Sequence, residues 1–487
     1  MLIKKNWDNY NYILFAILHT TMTLYSDKEF FNVSVWDYLP TILFCKIWLL
    51  VILIVFWRWI FQIISRKEEM AGRILSYSFP YFLFLLVFLF CNHSMKLYGD
   101  EFNIYSQAIN YNMYPYHFTY LTGLIYILSY MIIPCQIGIV LIKLILQSLV
   151  CGYCVHRITN RFGKSGYFIY LLFLLYPVMT YSIEVHRMHF YALLYITVSV
   201  KLIFDWLEDK QLTNFDLLTI SLGYSILAIW RKEGIYLLVI APAMICFAYN
   251  KFQLKQFLKI IMVFVITFLI LYIPQCFSPR GFTSESSHTY NAWFVNMCRE
   301  GLNKEKYPNQ MDAIDKYMSL DAVDYINEEL GDENYKDEYI AWRTGYIGIR
   351  DEATSSEYKD YVNAVRYLVF KEPVVFLKTR IGLWKYTAGS IDTNSLFNFY
   401  KSLTLNLNVP LIAIIAVCVI SIYKRKWLFF LISGSVVAHS IVTLIFAPAS
   451  YFKYYFHFYF LGWLFIIIGF LLFIKKVGEN FKVAHGV

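Results

Sequence analysis

Charge is scarce in this chain. Asp, Glu, Lys and Arg make up 16% of its 487 residues, against roughly a quarter in a soluble protein of ordinary composition. Too few charged side chains exist to cover a water-facing surface, which excludes a soluble globular enzyme. Several other things are missing. No second CxxC pair accompanies Cys151-Gly-Tyr-Cys154, so a four-cysteine metal site is not expected there. No internal repeat and no low-complexity linker interrupts the pattern. No small-residue cleavage site follows the early apolar stretch, so the first helices are expected to remain as anchors.

What is present is apolar. Hydrophobic residues reach 59%, with 42 Tyr and 42 Phe. Many windows attain the ~20 consecutive apolar residues that cross a bilayer as a helix. Tyrosine suits the membrane–water boundary, because its ring is apolar and its hydroxyl seeks water. The chain is therefore expected to be an all-α polytopic membrane protein. Twelve spans are predicted, at about 11–26, 40–64, 73–92, 136–155, 166–183, 188–207, 214–230, 234–250, 257–274, 404–423, 427–447 and 455–474.

The connecting segments set an orientation. "MLIKK", "SRKEEMAGR", "HRITNRFGKSG", "NKFQLKQFLK", "YKRK" and "KKVGENFK" fall on one side and are rich in Lys and Arg, which marks that side as cytoplasmic. Both termini are then cytoplasmic. The stretch 118–134 is apolar enough to span, but counting it would place every later basic loop outside. Residues 103–134 are accordingly read as tyrosine-rich helices in the outer interface. Three regions follow: a membrane domain over 1–274 with a first outer loop at 93–135, an outer loop domain over 275–403, and three final spans with a tail over 404–487. The outer loop domain is expected to be mainly helical. Its Cys276 and, further on, Cys298 are read either as a pair or as free thiols.

The outer face gathers the chemistry. Asp100 and Glu101 stand at the mouth of the third span, in "LYGDEFNIY". Pro115 and His117 lie on the way into the interface helices. "EVHRMH" supplies Glu184, His186, Arg187 and His189, and "RKE" sets Arg231 and Lys232 between spans where positive charge is normally avoided. Binding an anion is the simplest reason for that placement. Glu184, His186 and His189 are also candidate metal or acceptor ligands, although a helix would favour spacing of four. Cations that grip a lipid-linked phosphate, beside a carboxylate that takes a proton from an attacking hydroxyl, would suit group transfer at a membrane surface. His117, Lys453 and His457 are candidate substrate-groove residues, with interfacial snorkelling the preferred reading for Lys453.

The order of these features resembles the GT-C superfamily of membrane glycosyltransferases, nearest to protein O-mannosyltransferases and bacterial lipid A aminoarabinose transferases. The resemblance rests on "GDEFNIYSQAI", "YPYHFTYLTGLIYIL" and "WRKEGIYLLVIAPA", with a looser echo in "PASYFKYYF". It spans the whole layout but only about thirty residues of motif. The chain departs from the pattern in having two spans ahead of the one that leads into the acid pair, and in a reversed, diluted His-Pro order. The resemblance implies transfer of a sugar from a polyprenyl-phosphate carrier to a glycan, lipid or protein acceptor, with inversion. By it, Asp100 would be the base, with Glu101 as partner or alternative. Arg231 and Lys232 would clamp the donor phosphate with Arg187 in support, and Glu184 would help hold a divalent metal such as magnesium or manganese. It also implies a bacterial plasma-membrane setting. Two other classes compete. An O-antigen-type polymerase would rely on outer-loop arginines such as Arg280, Arg343, Arg350, Arg366 and Arg380. A lipid-linked glycan flippase or transporter would need charges within spans and a repeated half, and neither is prominent here.

Overall fold

A computed structural model describes residues 11–32, 38–65, 69–92, 100–115, 118–278, 287–330, 349–350, 353–447 and 450–485. His117, Arg280 and Arg343 lie outside the described residues, as does the side chain of Lys232. Every element described is helical, and the one extended pairing among these residues is an isolated antiparallel bridge between Met318 and Ile349.

The chain divides into two compact units. One comprises 1–282, 412–435 and 457–487, the other 283–411 and 436–456. The first unit holds α1 (Asn11–Phe30), α2 (Leu39–Ile64), α3 (Glu69–Asn92), α4 (Asp100–Ala108), α5 (Tyr120–Ile132), α6 (Gly138–Phe162), α7 (Tyr170–Phe173), α8 (Tyr176–Ile183), α9 (Arg187–Leu207), α10 (Asn214–Trp230), α11 (Leu237–Tyr249) and α12 (Leu254–Cys276). The second holds α13 (Ser287–Arg299), α14 (Pro308–Asp315), α15 (Leu320–Leu330), α16 (Ser355–Lys371), α17 (Pro373–Ala388) and α18 (Leu396–Leu405). The remaining helices, α19 (Asn408–Tyr423), α20 (Trp427–Phe446) and α21 (Phe456–His485), are divided between the units.

Among the described residues, seven helices are long and apolar enough to cross a membrane, or eight if the bent pair α18–α19 is one span. The expected 214–230 and 234–250 spans appear as the shorter apolar helices Asn214–Trp230 and Glu233–Tyr249. The expected 166–183 span is broken into a 3-10 turn, α7 and α8. Pro177, in the first turn of α8, has no N–H to offer the preceding turn, and the chain leaves helical geometry at Leu175 just before it. α6 stops at Gly163, whose φ of 63° is a left-handed conformation that other residues adopt at a cost. The chain then returns along α6.

In the first unit, polar groups staple neighbouring helices to one another. Tyr81 of α3 donates to the Phe173 carbonyl at 2.7 Å and accepts from Gln147 of α6 at 2.6 Å. Lys46 of α2 pairs with Asp27 of α1 and donates to Thr23 at 2.6 Å. A larger network joins α6, α9 and α10. Arg157 reaches Asp205 at 2.8 Å, and Lys201 bridges Asp205 at 2.9 Å and Asp216 at 2.6 Å. Tyr249 of α11 also donates to Asp205.

The second unit packs α13 to α17 around an aromatic core that includes Trp293, Phe294, Met297, Ile314, Tyr361 and Leu368. Within it, Tyr361 donates to Asn291 at 2.8 Å. Cys276 and Cys298 are both free thiols, the first exposed. Burial pushes the Cys298 thiol up to about 12.

Candidate functional site

The acid pair opens α4, and acids are favoured at a helix start because the first N–H groups there are unpaired. Successive helical residues point about 100° apart, so the two carboxylates separate. Glu101 shares the buried face with Ile104 and Ala108, while Asp100 faces outward.

Glu101 is fully engaged. The hydroxyl of Tyr126, from α5, donates to its Oε2, and the Arg187 main-chain N–H donates to Oε1 at 3.3 Å. That N–H is one of the unpaired donors at the start of α9, a natural seat for a carboxylate. α5 was expected as an interface helix with one face toward lipid. Instead it is buried on nearly every side. Its 13 residues extend roughly 20 Å, too little to cross a bilayer alone. Gly123 allows the close fit: a Cβ there would stand 2.3 Å from the Met113 carbonyl oxygen. Tyr120 anchors the same helix to α12, donating to the Leu271 carbonyl at 2.6 Å.

Asp100 keeps its side chain 46% exposed and meets Arg187 at 3.6 Å. The Arg187 guanidinium lies over the Phe118 ring, 3.4 Å from its centroid, which fixes the cation without consuming all of its donors. Beneath, Lys143 rises from α6. It is 1% exposed, donates to the Glu184 main-chain carbonyl and lies within electrostatic range of Glu101 and Glu184. Sequence reasoning overlooked Lys143, Tyr126 and Phe118. The signal for Lys143 was a lone cation inside "IGIVLIKLILQS".

His186 caps α9, its Nδ1 accepting from the Met188 N–H at 3.1 Å, and its ring meets Tyr181. His189 is wholly buried one turn into the helix. The candidate metal trio of Glu184, His186 and His189 does not form a ligand set. Among the described residues no three His, Cys, Asp or Glu side chains converge as metal ligands. Residues two and five positions apart across a cap project in different directions, so the residues present do not fit a divalent ion.

Arg231, expected to bind the donor phosphate, stands here against a neighbouring carboxylate. Its Nε and Nη2 both bond Glu233, at 3.2 and 3.1 Å, a fork closed on a single carboxylate. Burial works against the Glu233 carboxylate, but Arg231 outweighs it and holds the carboxyl below its usual range. His457 is buried, within electrostatic range of Glu233, with its ring 5.2 Å from Tyr191 and 5.7 Å from Tyr195. Tyr191 stands four residues beyond Arg187 on α9, so this second cluster occupies the next turn of the helix that seats Glu101. Lys453 belongs to the second unit, where its ammonium lies 4.5 Å from the Tyr451 ring centroid.

Comparison with protein families, curated proteins and solved structures returns no match. The functional reading therefore rests on the residues themselves.

Proposed function

We propose that this chain is an integral-membrane glycosyltransferase of the GT-C kind. It takes a sugar from a polyprenyl-phosphate carrier and places it on an acceptor hydroxyl. The site lies on the extracytoplasmic face of a bacterial plasma membrane, both termini being cytoplasmic. The observation that supports this best is the division of labour in the acid pair. Glu101 is bonded and buried, whereas Asp100 is exposed beside a fixed guanidinium.

Asp100 is the general base. Its carboxylate takes the proton of the acceptor hydroxyl as that oxygen forms its bond to the anomeric carbon. On the opposite face the bond to the phosphate oxygen breaks, and the lipid phosphate leaves with the electron pair. One displacement inverts the anomeric centre. Arg187, which meets Asp100 at 3.6 Å, holds the phosphate as charge builds on it. Arg231, forked onto Glu233, sets the neighbouring turn. Glu101, Tyr126 and Lys143 position the start of α9 rather than react. Glu184, His186 and His189 do not converge as ligands, so the step as proposed uses no metal held by them.

A polymerase of the O-antigen type would need free outer arginines. Arg350 instead bonds Asp315 at 2.8 Å, Arg366 bonds the Tyr290 hydroxyl at 2.5 Å, and Arg380 bonds main-chain carbonyls. The test is transfer from a panel of polyprenyl-phosphate sugars by purified wild type and Asp100→Asn, with and without EDTA. Turnover lost in the variant and unaffected by EDTA is the expected result. Equal turnover by the two proteins removes Asp100 from the chemistry.

A further inference from the structure

α17 has three distinct faces, and each looks onto something different. The buried one carries Phe376, Thr379, Arg380, Leu383 and Thr387. From it Arg380, 3% exposed, donates to the Ala447 carbonyl at 3.0 Å and to the Ile445 carbonyl at 3.4 Å. Those carbonyls close the last turn of α20, a helix long and apolar enough to cross a membrane. A guanidinium there satisfies orphan acceptors and suits the negative end of the helix dipole. Further along α17, Trp384 donates from Nε1 to Asn408 Oδ1 at 3.0 Å, at the first residue of α19. α17 is thus tied to the ends of two apolar helices. Both are the ends remote from the Lys424-Arg425-Lys426 turn that joins them.

The second face is apolar and exposed. Val374, Leu377 and Ile381 stand 65%, 57% and 55% exposed at spacings of three and four, which makes one stripe along the helix. Phe370, just before α17, is 82% exposed. The third face runs beside the stripe and presents Lys378 and Lys385, both exposed and two turns apart. An apolar stripe flanked by cations, on a helix held at the mouth of two apolar helices, matches a surface that lies in the boundary between headgroups and acyl chains.

We propose that α17 is a membrane-surface helix. Val374, Leu377 and Ile381 enter the acyl boundary of the leaflet at that end of α20, and Lys378 and Lys385 reach the phosphates of anionic lipids. The partner is the lipid surface itself. This does not depend on the transferase reading, because no part of the acid-pair site enters the argument.

The test uses the full chain with Cys91→Ser and Cys276→Ser, carrying a nitroxide at Leu377→Cys or Ile381→Cys. Lys316→Cys serves as an aqueous control, and the background without an introduced cysteine is subtracted. Reconstitution is into phosphatidylcholine vesicles with and without phosphatidylglycerol, and accessibility to oxygen and to a water-soluble nickel chelate is read by spin-label saturation. Labels at 377 and 381 are expected to favour oxygen, at a depth of about 5–10 Å below the phosphates, while the control favours nickel. Nickel access at 377 equal to the control overturns the proposal. Shielding from both reagents overturns it as well, by showing protein, such as a second copy, on that face. Lys378→Glu with Lys385→Glu should make both labels shallower in vesicles containing phosphatidylglycerol and leave them unchanged without it. No difference between the two lipids would overturn the assignment of the lysines to phosphate.

Discussion

Asp100 and Glu101 are neighbours in sequence with opposite environments. Asp100 is exposed and meets Arg187 at 3.6 Å, so little folding energy depends on it. Asp100→Asn is expected to lower transfer by about 10²–10⁴-fold while stability changes by less than about 0.5 kcal/mol. Transfer assays and thermal melts of the same preparation check both halves. Glu233 gives a pH-dependent prediction. Its carboxyl is held below its usual range in the fold, so the folded state favours its ionised form. That contribution is present above the unfolded carboxyl's value and is lost as pH falls through the depressed one. Glu233→Gln should therefore melt below wild type at pH 7, and the gap should close toward pH 3. A gap that is constant with pH would show that the ionised form is not what stabilises the turn.

At the scale of elements, α5 decides where the site's second layer sits. Its close approach to the 111–115 segment leaves no room for a methyl at Gly123, where Met113 main-chain atoms begin at 2.3 Å. Gly123→Ala must move the helix and with it Tyr126, so Glu101 loses its hydroxyl donor. A destabilisation of about 1–3 kcal/mol is expected, together with reduced transfer. Gly72→Ala is the control, since nothing lies within 4 Å of a Cβ there, and a helical Gly→Ala exchange in open space should be neutral or mildly stabilising. Melting curves of the two variants in one detergent distinguish packing from helix propensity. The helical character of 120–132 is legible in its apolar run. Its burial on nearly all sides is not, because a tyrosine-rich helix reads the same whether its hydroxyls meet water or, as with Tyr120 and Tyr126, a carbonyl and a carboxylate.

Across the first unit, α9 connects two polar centres. Arg187 at its start faces the acid pair, and Asp205 near its end joins Arg157 and Lys201. Along a straight helix these lie roughly 27 Å apart, close to the thickness of a bilayer core. The Arg157–Asp205 pair is nearly closed to solvent, at 4% and 1% side-chain exposure. Removing Arg157 takes one partner from buried Asp205 while Lys201 and Tyr249 stay bonded to it, so Arg157→Ala should cost about 1–3 kcal/mol. Chemical denaturation in detergent micelles measures the difference. A loss below about 1 kcal/mol would show that water reaches the network.

The long continuous apolar runs and scarcity of charge determined from sequence alone that this is an all-helical chain suited to a membrane, because such a run satisfies its own backbone hydrogen bonds there only as a helix, whereas a barrel strand is short and alternates. The positions of the acid pair, the Arg187 turn and the Arg231 turn were equally legible, since each charge stands at the edge of an apolar run. Their roles were decided by tertiary structure. Which of two adjacent carboxylates turns inward depends on where α4 begins and on which helix supplies a donor. Arg231 and Glu233 form a fork only because the chain leaves α10 in an extended conformation and tightens into a 3-10 turn. Lys143 is one cation in an apolar segment until α8 brings the Glu184 carbonyl to it. A side chain's chemistry is local, but its partner comes from distant sequence, and only packing chooses that partner.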